Sequence, residues 1–256
     1  MIRNTSCLIQ AAKNLNIEFE TFEGIENLLK ISKNKKYYFP NCTTPLNSQD
    51  ISFIALDKEF TYRTLEKVIN MPETISFFDP NVQPEYQHYV REKNVDEMVE
   101  KVISKFGEKV IVKMNSGKRK TNVYKCCSHL EIKSAFEKIF DHKSKNYDFV
   151  ALAQKKVDIM REFRVIVYKK KIELIYTKWT FDKVEDLELQ NRLRGFLNPM
   201  FEVFDLQYGG LDIALDKENK LWLIEINTAP RFEPFAKKNG EEDIIKLYEK
   251  ILSNLD

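Results

Sequence analysis

The sequence predicts an α+β fold, and three observations carry that prediction. Two pairs of extended segments, 162–168 with 172–178 and 211–215 with 221–227, are joined by short polar turns and read as hairpins. Around them run amphipathic stretches with apolar residues at helical spacing, clearest over 95–106 and 241–255. No internal repeat or low-complexity tract breaks this mixture, which argues for helices packed on mostly antiparallel strands.

In chain order, residues 5–17 suit a short helix with Leu8, Ile9, Ala12 and Leu15 on one face. Alternating segments follow at 17–22 and 36–39, then a turn-rich stretch, 40–48, with Pro40 and Pro45. A new unit starts at 51–56, and 61–69 reads as a helix ending before Pro72. Pro80 and Pro84 mark a connector. The helix over 95–106 stops at Gly107, and 110–114 is a short buried strand. A basic loop, 116–122, leads to a strand at 123–126, a helix at 129–140 and an apolar strand at 149–154. The hairpin 162–178 turns at Lys169, Lys170 and Lys171; residues 181–200 read as polar and irregular; the hairpin 211–227 and a helix at 241–255 close the chain.

Composition narrows the function classes. The 256 residues suffice for one large domain or two to three lobes sharing a core. No apolar run approaches the roughly 20 residues of a bilayer span, so no membrane partner is expected. The amino terminus is too polar for a secretory signal, and four cysteines (Cys7, Cys42, Cys126, Cys127) show no CxxC spacing, so a reduced, cytoplasmic protein is expected. Charged residues make up 31 % but balance to +2, which provides no whole-surface argument for nucleic acid. A homo-oligomer is compatible with this composition.

The hairpin 211–227 carries the chemistry. If its turn, 216–220, sets Asp216 opposite Leu221, counting back sets Asp212 opposite Glu225. Side chains alternate along a strand, so Asp212, Glu225 and Asn227 share one face, with Leu211, Ile213, Leu215, Trp222, Ile224 and Ile226 on the other. Facing carboxylates with Cβ atoms about 5 Å apart repel. A cation between them removes the conflict, and an all-oxygen set with no His or Cys nearby suits Mg²⁺ or Mn²⁺ shared with substrate phosphates. Two acids pointing into water is the plain alternative. No Lys or Arg sits beside the acids on their own strands.

Other residues are ambiguous singly. Lys113 interrupts an apolar strand: a phosphate contact and an edge lysine snorkelling to water both fit, the second more simply. The loop 115–122 can cradle phosphates or be a solvated basic turn. Glu162 can accept from ribose hydroxyls or be an exposed acid opening a strand. Arg164, on the same strand face, can bind a phosphate or pair with Glu162. Arg231 follows the acidic hairpin in a Pro-flanked loop and is a further anion-binding candidate or a surface arginine.

Together these residues, in this order and separation, make the chain resemble the ATP-grasp superfamily, in the style of its carboxylate–amine ligases: glutathione synthetases, D-alanine–D-alanine ligases, cyanophycin synthetases and ribosomal-protein glutamate ligases. The likeness runs from about Tyr37 onward. It implies two α+β lobes gripping ATP, 51–152 and 153–256, after a reduced amino-terminal lobe, 1–50. It implies that Lys58 and Lys113 contact ATP and that Ser116, Gly117 and Lys118 belong to a flexible loop closing over the phosphates. Gln154, Lys155 and Val157 would form the adenine hinge, Glu162 the ribose acid, and Asp212, Glu225 and Asn227 the Mg²⁺ (or Mn²⁺) ligands. The chain departs from the pattern in its glycine-poor loop, in Gln154 where an acid is common, and in Gly210. That glycine stands where D-alanine ligases carry an arginine that steadies the intermediate. Arg164 or Arg231 would take its place, and the resemblance thus implies a catalytic set of Arg164, Arg231 and Lys113.

The implied activity is an ATP- and Mg²⁺-dependent ligation that forms an amide through an acylphosphate and releases ADP and phosphate. Its substrates would be the carboxylate and amine of an amino acid, peptide or protein. Segments such as 181–204 and the amino-terminal lobe would select them. The rivals are a small-molecule kinase on the same scaffold and a nucleotide-binding regulatory protein without chemistry. No Ser/His/Asp or Cys/His set suggests a side-chain nucleophile.

Overall fold

The computed structural model describes residues 3–117 and 121–255. From the amino terminus come α1 (Arg3–Asn14), β1 (Glu18–Phe22), β2 (Ile25–Ser32), β3 (Lys36–Pro40), α2 (Gln49–Leu56) and α3 (Lys58–Leu65). Next are β4 (Thr74–Phe78), a 3₁₀ turn (Pro84–Tyr89), α4 (Val95–Phe106), β5 (Val110–Met114), β6 (Val123–Cys126), α5 (His129–Ile139) and β7 (Val150–Lys155). The remainder is β8 (Ile159–Tyr168), β9 (Lys171–Thr177), α6 (Leu187–Val203), β10 (Tyr208–Asp216), β11 (Leu221–Asn227), α7 (Glu233–Asn239) and α8 (Glu242–Ser253). These elements form two compact units, Met1–Leu56 with Ile159–Asp256, and Asp57–Asp158. Every strand pairing among the described residues is antiparallel, in keeping with an α+β fold.

The unit Asp57–Asp158 is a four-stranded sheet in the order β4-β7-β5-β6 with α4 and α5 packed on it. Both helices start where their caps dictate: the side chains of Asn94 and Ser128 accept from the N–H groups of Glu97 and Glu131. Gly107, at φ 74°, ends α4 in a conformation that glycine adopts without penalty. Met98, Val99 and Val102 of α4 and Ile132, Ala135, Phe136 and Ile139 of α5 form one core with Val110, Val112, Ala151 and Ala153 of the sheet.

In the other unit, a second four-stranded sheet has the order β11-β10-β8-β9, and a three-stranded one the order β1-β2-β3. Along one face of the larger sheet, Ile166, Tyr168, Leu174, Tyr176 and Tyr208 join a core built with α1, α7, α8, β2 and β3. The amino-terminal residues are therefore part of this core, where α1 packs on α8. The opposite face is also apolar, through Val165, Val167, Ile175, Leu211, Ile213 and Leu223. Strand β10 is buried along its whole length.

Several elements differ from the sequence expectation. Residues 181–200 are largely helical, since α6 covers 187–203 and buries Leu189, Leu193, Leu197, Met200 and Phe201. That stripe has helical spacing, but internal Gly195 and Pro199 lower intrinsic propensity enough to hide it. Local pattern does not announce β2, β4 or α7 either: β2 carries Glu26, Asn27 and Lys30, and α7 is only seven residues long. Helix α3 starts at Lys58, three residues before the expected 61, because Asp57 caps it by accepting from Phe60 N–H at 2.8 Å. Among the described residues no helix is long and apolar enough to cross a membrane.

None of the cysteines is in a disulfide: Cys7, Cys42 and Cys126 are buried and Cys127 is exposed. Burial, then the charge of Glu241, pushes the Cys7 thiol up to about 12; burial, then Glu131, pushes Cys126 to about 11. Raised values keep these groups as neutral, unreactive thiols near pH 8. Ellman's reagent at that pH is expected to titrate one thiol, Cys127, in the native protein and four after denaturation. Prompt modification of two or more native thiols would contradict this packing.

Candidate functional site

The face of β8, β9 and β10 that starts in the aromatic core ends in charge. Antiparallel register sets Arg164 opposite both Asp212 on β10 and Tyr176 on β9. Moving two residues along β8 reaches Glu162, and two beyond Tyr176 reaches Lys178. The backbone N–H of Lys178 donates to the Glu162 carbonyl, so the two residues are neighbours. Asp212 is 2 % exposed. Its Oδ1 lies 2.5 Å from Arg164 Nε, and its Oδ2 lies 2.8 Å from Lys178 Nζ, which is also 3.6 Å from Glu162 Oε2. Although close, Arg164 Nε and Asp212 Oδ1 are not aligned as a hydrogen bond, so this contact is charge against charge. Burial alone would lower the Lys178 pKa, but the charge and hydrogen bond of Asp212 outweigh it and raise it. Tyr176, pushed up to about 12 by burial, with Arg164 opposing, remains a neutral phenol beside them.

Asp212 stands opposite Glu225, as the hairpin count expects, but by a different route. Leu215, rather than Asp216, faces Leu221, so the pairing is one residue out from the turn onward. A bulge between Asp212 and Ile213 restores it, setting Ile213 opposite Leu223 and Asp212 opposite Glu225. The slip also corrects the assignment of faces. Trp222 pairs with Ala214 on the acidic face, where its Nε1–H donates to Asp216 Oδ2 at 2.7 Å. Leu221, Leu223 and Ile226 are the buried positions of β11 instead. Asp216 also accepts from the N–H groups of Glu218 and Lys220, tying the turn.

Glycine at 210 gives Arg164 its place. A Cβ there would lie 2.9 Å from Pro230 Cβ, 3.1 Å from Arg164 Cδ and 3.2 Å from Arg164 Nη1. The arginine thus runs over bare backbone to reach Asp212. Gly210 pairs with Asn227, a half-buried residue whose Nδ2 is buried without a hydrogen-bond partner. Arg231 is exposed between β11 and α7. Its flanking backbone is held by buried Asn4, which donates to the Pro230 carbonyl at 2.9 Å and accepts from Phe232 N–H at 3.2 Å.

The unit Asp57–Asp158 brings together a second set. Lys113 is 8 % exposed and donates to Gln154 Oε1 at 3.3 Å; Gln154 Nε2 in turn donates to Thr74 Oγ1 at 2.9 Å. Lys113 therefore lies inside the unit, against the snorkelling alternative. Lys155 is exposed at the end of β7, its N–H bonded to the Glu73 carbonyl, and Val157 is half-buried. Lys58 Nζ donates to the carbonyls of Asn115 and Gly117 at 2.8 and 2.7 Å. Asn115 donates to Asp57 and accepts from Glu59 N–H, and Ser116 donates from both N–H and Oγ to Asp148 Oδ2 at 2.8 Å. The start of the loop is thus clamped from three sides. Gly117 has no room for a Cβ, which would come within 2.4 Å of Met114 Cγ and 2.9 Å of the Thr121 carbonyl. Lys118, with Arg119 and Lys120, lies outside the described residues.

Two residues of the Asp212 face and its surroundings are not signalled by motif. Lys178 is legible in principle, because the count that pairs Asp212 with Glu225 also pairs Glu162 with Lys178 across the 162–178 hairpin. Asn4 carries no signal, since it acts across 226 positions. Among the described residues no group of three or more His, Cys, Asp or Glu is arranged to hold a metal, so Asp212, Glu225 and Asn227 supply two acids and an amide.

Residues 168–254, which include Lys178, Asp212, Glu225 and Asn227 but neither Glu162 nor Arg164, match the family model described as YheC/D-like ATP-grasp. Comparison with curated proteins returns no match. Among solved structures, the chain is similar to the D-alanine–D-alanine ligase of Coxiella burnetii, with TM-score 0.57, 16 % identity, and 81 % of this chain and 62 % of that one covered. It is similar to a RimK-domain ATP-grasp protein of Sphaerobacter thermophilus, with TM-score 0.59, 13 % identity, and 80 % and 70 % covered. It is similar also to a RiPP-associated ATP-grasp ligase of Chryseobacterium gregarium, solved with ADP and a leader and core peptide. There the TM-score is 0.58 at 12 % identity, with 99 % and 93 % covered. The chain spans 62 % of the Coxiella ligase and 60 % of PsnB, a further ATP-grasp ligase that it matches. The fold is the ATP-grasp fold.

Gly210→Ala is expected to cost about 1–3 kcal/mol by overpacking, measured by urea unfolding. The cost should fall in an Arg164→Ala background, where one crowded neighbour is gone. Equal costs in both backgrounds would remove Arg164 from the explanation.

Proposed function

We propose that this chain is an ATP- and Mg²⁺-dependent carboxylate–amine ligase that forms an amide through an acylphosphate and releases ADP and phosphate. The observation carrying this reading is Asp212 set opposite Glu225 with Asn227 beside it, on a fold whose solved examples include a D-alanine–D-alanine ligase. The donors suit a hard divalent ion: all are oxygen, and buried Asp212 Oδ1 and the Asn227 amide lack hydrogen-bond partners that a ligand would supply. A half-turn of the Asn227 amide would present its oxygen at that position as a ligand. Held there by Asp212, Glu225 and Asn227, Mg²⁺ or Mn²⁺ would supply positive charge that neutralises the phosphates of ATP.

The chain's own residues then act by positioning and charge. Gln154, Lys155 and Val157 would line the adenine, and Glu162 would accept from the ribose. Lys113, a buried cation that donates to the Gln154 amide oxygen, is suited to a phosphate oxygen. Lys58 works through the loop root it clamps, bonded to the carbonyls of Asn115 and Gly117, and so sets Ser116 and Gly117 for the phosphates. Arg164, Lys178 and Arg231 offer cations to the acylphosphate. A carboxylate oxygen attacks the γ-phosphorus as its bond to the β–γ bridging oxygen breaks, and ADP leaves. The amine nitrogen then attacks the acyl carbon, phosphate departs with the C–O electron pair, and the amine proton passes to solvent. Neighbours solved with peptide substrates make peptides and proteins, alongside amino acids, the first panel to test.

An ADP-release screen over that panel, with mass spectrometry of products, tests the activity. Asp212→Asn or Glu225→Gln is expected to cut turnover at least about a hundredfold without changing far-UV circular dichroism; wild-type ADP formation in either excludes the metal role. With hydroxylamine present the wild type should yield a hydroxamate, the product of trapping an acylphosphate. ADP release without hydroxamate would reassign the chain as a small-molecule kinase, and ATP binding without any ADP release as a regulatory protein. Lys113→Ala should weaken ATP binding in calorimetry more than it lowers the melting temperature, and unchanged affinity would take Lys113 out of the site.

A further inference from the structure

Asp212, placed in the metal set above, already has two cations of the chain against it. Arg164 meets one oxygen and Lys178 the other, and their side chains are 19 % and 18 % exposed. Nearest Asp212 on this sheet face stand two further carboxylates (Glu162, Glu225) and two cations (Arg164, Lys178), a local formal balance of one negative charge, while Asp216 farther along β10 is taken up by Trp222 and its own turn. Adding a divalent ion turns that balance to one positive charge. In a partly buried site such an excess is costly, because screening is weak there. An anionic group that draws Lys178 and Arg164 to itself removes the excess and frees both Asp212 oxygens at the same moment. At Gly210 no side chain presses on Arg164.

We propose that Arg164 and Lys178 are built-in counter-ions that occupy Asp212 until a divalent ion and an anionic substrate group arrive together. The metal displaces them from the carboxylate, and the anion, a phosphate or acylphosphate, receives them. Each ligand then raises the affinity of the other, because linkage is reciprocal. The inference rests on the metal reading of Asp212 and Glu225. It adds that the site resists metal alone.

Mn²⁺ binding to the full-length protein, followed by the electron paramagnetic resonance signal of free Mn²⁺, tests it with inorganic phosphate as the anion and free Mn²⁺ matched between samples. Wild type should bind Mn²⁺ weakly, and saturating phosphate should tighten binding about fivefold or more. Lys178→Met should bind Mn²⁺ about fivefold or more tighter than wild type without phosphate, and phosphate should then add little. Lys178→Gln, which keeps a polar head without the charge, should behave alike and serves if the methionine variant does not fold. Wild-type binding that these variants leave unchanged or weaken overturns the counter-ion role while leaving the metal site standing. Wild type binding no more Mn²⁺ than Asp212→Asn, with or without phosphate, overturns both.

Discussion

A carboxylate withdrawn almost wholly from water is costly in a protein interior unless positive charge comes with it. Asp212 meets that condition through Arg164 and Lys178, and much of its surroundings follows from the arrangement. The arginine needs the space over Gly210, where a side chain would collide with it. The lysine needs β9 beside β8 in a register that places it next to Glu162. The bulge between Asp212 and Ile213 brings Glu225 to the same point from the other side. Buried ion clusters of this kind contribute little net stability compared with apolar packing, yet removing one member leaves a costly unpaired charge.

The unit Asp57–Asp158 solves a different problem with the same means. The root of the loop after β5 is fixed in place, since Asn115, Ser116 and Gly117 are tied to Asp57, Lys58, Glu59 and Asp148. Because Asp57 also caps α3, the helix start and the loop root are fixed by one side chain. The loop keeps glycine at 117, the position where a side chain has no room.

A fold does not by itself supply a function, and at 12 to 16 % identity the solved neighbours speak for the fold. The ligase reading therefore stands on the particular side chains of the acidic sheet face and of the buried Lys113–Gln154–Thr74 chain, which are specific where the architecture is general.

Periodicity along the chain is enough to expect an α+β fold, the boundaries of α4, β5 and β6, and an acid pair shared across β10 and β11, because each depends only on local spacing. Helix α6 stays hidden because Gly195 and Pro199 weaken propensity, while the burial of Leu189, Leu193 and Leu197 that stabilises it is a tertiary fact. The same limit applies at the centre of the site. Spacing within a strand states which side chains share a face, but not which strand will lie alongside. Only the packed sheet decided that Arg164 and Lys178 would flank Asp212 and that Trp222 would turn to its side, since strand order and a bulge are settled by contacts distant in sequence.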